Sequence, residues 1–286
     1  MAMALRLPGE PGHDDGAPRT LPAPGDPGEA VEAGWPILVC VLGSFQVTRR
    51  GTPVALRGGG KTEALLCKLA LHPEGTLPRD ALLAALWPDR DPALAGQSLN
   101  SLVYGLHRLL GEAIGGAAVV LHANGGYRLN REAGVGTDLA CFDALAAAGD
   151  QYERAGDPAA AAAARCRAVR LYRGDLSAGT DVHAVVERER LLALYLTMLT
   201  RLADYHFGEG AYAACLDYAL RLLASDPCRE DAHRLVMRCY VRRGERGQAL
   251  RQYRLCQDVL RAEFDALPEP ATTTLFDQVR LDPDSI

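Results

Sequence analysis

Short apolar runs open the ordered-looking part of this chain. Ile37–Leu42, Phe45–Arg49 and Pro53–Leu56 are separated by Gly43-Ser44 and Arg50-Gly51. Brief β-rich runs bounded by turn residues predict three strands. The periodicity then becomes helical. Within Thr62–Leu71, the apolar positions are Leu65, Leu66, Leu69 and Ala70. Within Pro78–Trp87, Pro78 fits the first helical position, and Leu82, Leu83, Leu86 and Trp87 form the stripe. Pro88 and Pro92 break the chain before a third helix, expected over about Ala93–Leu110. Val119–His122 and Tyr127–Asn130 then flank Ala123-Asn124-Gly125-Gly126, a hairpin signal. The order β-β-β, α-α-α, hairpin describes a winged helix with an added N-terminal sheet.

From about Asp138 the pattern is helical to the end, with a period of 34. Leu202 aligns with Val236, Gly210 with Gly244, Cys215 with Ala249 and Leu216 with Leu250. Each unit has an apolar helix, a glycine turn and a second helix with small residues, as in tetratricopeptide repeats. A degenerate unit begins at Gly156 and runs through Ala159–Ala164. A closing helix, Thr272–Val279, is placed to cap the last repeat. The expected fold class is therefore an α+β winged helix-turn-helix with an N-terminal β-sheet, followed by an all-α tetratricopeptide-like domain. The expected boundaries are 1–34, 35–132 and 137–286.

Composition modifies this picture at the N-terminus. Residues 1–34 hold six Pro and six Gly and almost no aliphatic pattern, which predicts a disordered leader. No run approaches the roughly 18 apolar residues needed to cross a bilayer, so no membrane partner is expected. There is no secretory signal pattern. The eight cysteines form no C-x-x-C pair and read as buried reduced thiols, which points to a cytoplasmic protein.

Charge is informative once divided by segment. The whole chain carries −5, which excludes a bulk polycation. Residues 1–34 carry −4, residues 35–132 carry +3 and residues 133–286 carry −4. Only the middle segment offers a footprint for a polyanion.

The third helix of that segment has two faces. Leu99, Leu102, Val103, Leu106 and Leu110 lie on one side at 100° per residue. Gln97, Ser101, Tyr104 and Arg108 lie opposite, an amide, hydroxyl, phenol and guanidinium series suited to base edges and phosphates. A solvated face of a structural helix has the same pattern. Lys61 opens the first helix and Arg128 lies near the wing, both positioned to reach phosphate or to remain ordinary exposed charges. Arg49, Arg50 and Arg57 add positive charge on the strands.

The runs Ile37-Leu-Val-Cys-Val-Leu-Gly-Ser-Phe-Gln-Val, Ala81-Leu-Leu-Ala-Ala-Leu-Trp-Pro and Gly126-Tyr-Arg-Leu resemble the OmpR-type winged helix of SARP/AfsR-class transcriptional activators. Downstream, Leu171-Tyr-Arg-Gly-Asp-Leu, Glu187-Arg-Glu-Arg-Leu, Asp226-Pro-Cys-Arg-Glu-Asp-Ala-His-Arg and Ala249-Leu-Arg-Gln-Tyr resemble the bacterial transcriptional activator domain of that class. The resemblance covers about residues 36–281. It implies a promoter-binding activator, double-stranded DNA as partner, and dimers or multimers on direct repeats, with the helical repeats expected to serve self-association, RNA polymerase contact or effector sensing. One departure stands out. Gly105 and His107 occupy positions where the class carries basic residues, leaving Arg108 as the firm cation beside a candidate His107.

Other chemistries fail on spacing. Gly58-Gly59-Gly60-Lys61-Thr62 approaches a P-loop, but the motif requires glycine where Ala55 stands. His206 and Cys215, nine residues apart, fit helix packing better than a metal site. Glu187-Arg188-Glu189-Arg190 reads as a solvated helix face. No catalytic constellation, cofactor or metal set assembles, so the chain reads as a non-enzyme. The alternative to a DNA-binding regulator is a protein-interaction scaffold whose winged helix has lost specific DNA binding.

Overall fold

The computed structural model describes residues 34–56, 60–72, 75–177, 179 and 181–286. The leader expected over 1–34 lies outside the described residues except for Gly34, as do Arg57, Gly58 and Gly59.

The described chain opens with β1 (Ile37–Cys40), β2 (Gln46–Arg49) and β3 (Thr52–Pro53). Then follow α1 (Lys61–Ala70), the two-residue β4 (Leu77–Pro78), α2 (Arg79–Leu86) and α3 (Pro92–Leu110). A 3₁₀ turn, Gly111–Ile114, leads to the hairpin β5 (Val120–Ala123) and β6 (Gly126–Leu129), then to β7 (Val135–Thr137). Helices occupy the rest: α4 (Asp138–Arg154), α5 (Pro158–Leu171), α6 (Val182–Gly208), α7 (Tyr212–Ser225), α8 (Glu230–Arg242), α9 (Arg246–Phe264) and α10 (Pro270–Leu281). The result is a helix-rich chain with small sheets at its N-terminal end and an all-helical C-terminal part.

Pro78 differs from its expected role. It caps α2 from the non-helical side and pairs with Gly126 in β4. Leu77 pairs with Tyr127 in the same ladder, so the hairpin gains a third strand in the order β4-β6-β5. The approach is close because Gly126 has no side chain; a Cβ there would lie 2.9 Å from the Thr76 side chain. Asn124 and Gly125 form the hairpin turn, both at positive φ (52° and 73°).

The N-terminal sheet is completed from far along the chain. β7 pairs in parallel with β1, giving the order β3-β2-β1-β7. Immediately after β7, Asp138 opens α4 with a fully buried side chain. Its carboxylate accepts Val41 N–H at 2.8 Å and 3.0 Å and Leu42 N–H at 3.0 Å. These donors lie where the β1 ladder has ended and would otherwise be orphaned. Burial pushes the Asp138 carboxyl above its ordinary range, opposed by those backbone N–H bonds.

A strap between α5 and α6 adds to the junction. Leu176 bridges Leu42, Gly43 N–H donates to Asp175 O at 3.0 Å, and Ser177 N–H donates to Val41 O at 2.7 Å. Lys68 of α1 forms an ion pair with Asp181, which also caps α6. One buried apolar cluster runs from Ile37 through Leu99 and Phe142 to Leu199 and Ala232. The sheet-bearing part and the first helical pairs therefore share a continuous core.

Glu187–Arg190 is more than a solvated face. Arg190 donates twice to Asp143 of α4, both bonds at 2.9 Å, and Arg188 donates to Leu176 O at 3.2 Å. The long α6 crosses both α4 and the strap, which supplies these acceptors.

The 34-residue period has physical content. Gly210 and Gly244 sit in the turns between paired helices at φ of 71° and 76°, a region glycine enters without cost. Gly156 does the same at 77° between α4 and α5. Leu202, Val236, Cys215 and Ala249 are all fully buried at equivalent positions. The closing helix packs Leu275 and Val279 against Met237, Ala249 and Tyr253, with the Tyr253 and Phe276 rings stacked at 4.0 Å.

Two buried polar side chains stiffen these pairs. Arg165 projects from the alanine-rich α5 and holds Asp150 and Glu153 of α4. His233 is buried between α8 and α9. Its Nε2 donates to Pro227 O at 2.9 Å, and its Nδ1 accepts from Gln252 at 2.7 Å. Burial holds this imidazole below its ordinary value of 6.5. Below 6.5 the unfolded chain takes up a proton that folded His233 resists, so stability falls as pH falls. The expected result is a urea midpoint that drops between about pH 7 and pH 5.5, with a shallower drop in His233→Gln.

No helix among the described residues is long and apolar enough to cross a membrane.

Candidate nucleic-acid interface

α3 is positioned from below by its apolar stripe. Ala95, Leu99, Leu106 and Leu110 are buried in the main core, with Leu102 and Val103 packed at its edge. Asp91 starts the helix: its carboxylate accepts Ala93 N–H at 2.9 Å and Leu94 N–H at 3.2 Å, and Pro92 follows at the first position. The opposite face is open. Gln97, Ser101, Tyr104 and Arg108 are all exposed, Tyr104 by 67%. The four residues predicted to share this face are therefore brought together. Ser101 Oγ donates to Gln97 O at 3.0 Å, a bond within the helix that leaves its acceptor side outward. Nineteen residues make a rod about 28 Å long, enough to lie along a groove.

His107 has a different placement. Val120 N–H approaches its Nε2 at 3.2 Å, and the Val120 carbonyl lies at the same distance. The half-buried ring ties α3 to β5 instead of standing free on the open face. Gly105 is exposed between Tyr104 and Arg108, and a Cβ there would meet nothing within 4 Å.

The other predicted cations diverge. Arg128 is in β6 beyond the turn, and Glu132 holds its guanidinium at 2.8 Å. That contact raises Arg128 above its ordinary value and lowers Glu132. The hairpin tip, Asn124-Gly125, carries no charge. Arg49 lies 3.8 Å from Glu112. Lys61 is exposed at the start of α1. Glu63, Cys67 and Lys68 further along that helix line a cavity of about 470 Å³ with Ser177, Gly179 and Asp181, so α1 faces the strap.

Three contributors escaped the wheel. Leu94 is 54% exposed, and at 100° per residue it lies within 40° of Ser101 and Arg108. Extending the helical wheel one turn towards the N-terminus reveals it. Arg90, on the loop before α3, donates to Ser98 Oγ at 3.0 Å and places a second guanidinium beside the open face. Arg79 N–H donates to Gly125 O at 3.1 Å, fixing the hairpin tip against the start of α2.

No group of three or more His, Cys, Asp or Glu side chains among the described residues is arranged to hold a metal ion. His206 instead stacks on Tyr218 at 5.5 Å, and Cys215 lies 3.2 Å from Cys239.

Residues 137–280 match the bacterial transcriptional activator domain. The match begins at Thr137, the residue that caps α4, and spans about half of the chain. The chain belongs to this family. Members similar to it include the regulatory protein AfsR of Streptomyces coelicolor, 29% identical over 93% of this chain and 26% of AfsR. The transcriptional regulatory protein EmbR of Mycobacterium tuberculosis is 28% identical over 84% of this chain and 62% of EmbR. The regulatory protein DnrI of Streptomyces peucetius is 29% identical over 71% of this chain and 75% of DnrI. The chain thus spans a quarter of AfsR and under two thirds of EmbR. Among solved structures, EmbR in complex with a low-affinity phosphopeptide superimposes with a TM-score of 0.67. That match has 26% identity and covers 88% of this chain and 68% of the EmbR chain. With these relatives the chain falls in the SARP/AfsR class of the activator-domain family, a non-enzymatic group of regulators.

Proposed function

We propose that this chain is a DNA-binding transcriptional activator. Residues 35–132 act as an OmpR-type winged helix, with α3 as the recognition helix and the β5–β6 hairpin as the wing. The observation that carries this reading is the face of α3: Gln97, Ser101, Tyr104 and Arg108 stand exposed above a fully packed apolar stripe. Arg108 has no ion-pair partner among the described residues, whereas Arg128 is already neutralised by Glu132. The paired helices from α4 onward form a tetratricopeptide-like activator module. That module supplies the surface for a second copy of the chain on DNA, for RNA polymerase or for an effector. Lys61 and Arg128 serve as peripheral phosphate contacts, Arg128 after release from Glu132, and His107 positions α3 against the wing.

The test is a salt titration of binding to a fragment selected by the protein. Each phosphate contact contributes roughly −0.9 to the slope of log K against log salt. Arg108→Ala is expected to weaken binding and flatten the slope by about 0.9. Gly105→Arg is expected to do the reverse, because its site has open space and arginine is the better helix former. Equal slopes in all three proteins remove this face from the contact surface. The neutralised wing cation favours a second reading, an interaction scaffold, and that reading predicts no fragment selection at any salt.

A further inference from the structure

The open face of α3 is chemically uneven. Its C-terminal half ends in Arg108, while its N-terminal half presents Leu94 and Gln97, both exposed, one helical turn apart. Leu99, Leu106 and Leu110 are buried and Leu109, 40% exposed, lies off the open face, whereas Leu94, 54% exposed, stands on that face outside the core. The helix N-terminus does not offer free N–H groups to phosphate either, because Asp91 has taken two of them. The nearby cation, Arg90, stands at the edge of this half, bonded to Ser98 at 3.0 Å. The centre of this half, an exposed amide beside an exposed aliphatic side chain, therefore suits a base edge carrying both an amide-complementary pair and a methyl group.

We infer that Leu94 and Gln97 read an A·T step in the major groove, Gln97 pairing with adenine and Leu94 covering the thymine methyl. The inference rests on the DNA-binding reading above. A glutamine amide donates to adenine N7 and accepts from the adenine N6 amino group, a pattern no other base edge matches. Thymine alone places a methyl group in the major groove. Leu94 and Gln97 lie about 4.5 Å apart along the helix axis, close to the 3.4 Å rise of successive base pairs. Guanine reading belongs to arginine, and Arg108 is about 16 Å further along the axis from Gln97. The readout therefore has polarity: an A·T step under the helix N-terminus, with the charged contact at the other end.

The experiment uses the full chain and a duplex it selects from a random pool, at fixed salt. Each thymine is replaced in turn by deoxyuridine, which lacks only the methyl, and each adenine by 7-deazaadenine, which lacks only N7. The expected result is one thymine position where deoxyuridine weakens binding about fourfold, the worth of one buried methyl group. A nearby adenine should lose about fivefold or more with 7-deazaadenine. Leu94→Ala should abolish the thymine effect, and Gln97→Ala the adenine effect, with the salt slope unchanged in both. Leu94 is outside the core, so circular dichroism and urea midpoints are expected to match the parent. Selective binding with a motif insensitive to both replacements overturns the inference and leaves DNA binding intact. Selection of no duplex overturns DNA binding itself, and the inference with it.

Discussion

Asp138→Ala is expected to lower the unfolding free energy by about 3–5 kcal/mol, a large share of the stability of an ordinary domain. The carboxylate is fully buried and accepts the Val41 and Leu42 N–H groups. Alanine leaves both donors without an acceptor, and each orphaned buried donor costs roughly 1–3 kcal/mol. The loss falls where β1 ends and α4 begins, so the two parts of the chain should also uncouple. Urea unfolding followed by tryptophan fluorescence and by helical circular dichroism should coincide in the parent and separate in the variant. The two tryptophans, Trp35 and Trp87, lie N-terminal to α4, whereas most helical residues lie from α4 onward, so the two signals weight different parts. Coincident transitions at the parental midpoint would show that Asp138 does not join them.

Gly136→Ala should have the second-largest effect on stability. A Cβ on Gly136 would lie 2.3 Å from the Trp35 indole, and because the backbone fixes the position of an alanine Cβ, only a movement of the indole or of the strand relieves the clash. The indole must leave its seat on β7. Overpacking of this kind costs about 1–3 kcal/mol, with the lost burial of the indole added. The expected signature is a red shift in tryptophan emission and a lower urea midpoint, with helical content retained. An unshifted spectrum would mean that Trp35 is not packed on Gly136.

The local signals in the sequence were strong where period and turn chemistry agreed. The apolar stripe of α3 is the buried stripe of the structure, and Asn124-Gly125 does form the hairpin turn. The 34-residue spacing of Gly210 and Gly244 corresponds to equivalent left-handed turns. Pairings across long separations were not legible. β7 is three residues long and contains Gly136, so nothing in Val135–Thr137 marks it as the parallel partner of β1. Asp138 reads as an ordinary acidic residue in the first turn of a helix. Its function depends on two N–H groups 96 and 97 residues away.

The charged residues were the least legible part of the candidate interface. Arg108 and Arg128 look alike as sequence, and only the fold shows that Glu132 stands beside Arg128. His107 sits between the two stripes by angle, about 40° from Val103 and 60° from Tyr104, and only the fold shows the backbone of Val120 within reach of its ring. Leu94 was hidden for the opposite reason, since an apolar residue in an amphipathic helix is assigned to the core by default.

The central claim is that the face of α3 carrying Gln97, Ser101, Tyr104 and Arg108 reads specific DNA. The most direct test is selection of genomic fragments by the full chain at low and moderate salt, with a Gln97→Ala/Arg108→Ala double variant in parallel. The predicted result is a discrete set of fragments enriched by the parent and absent from the variant, whose fold and urea midpoint are unchanged. Failure of the parent to enrich any fragment at low salt, or enrichment of the same set by the variant, would contradict it.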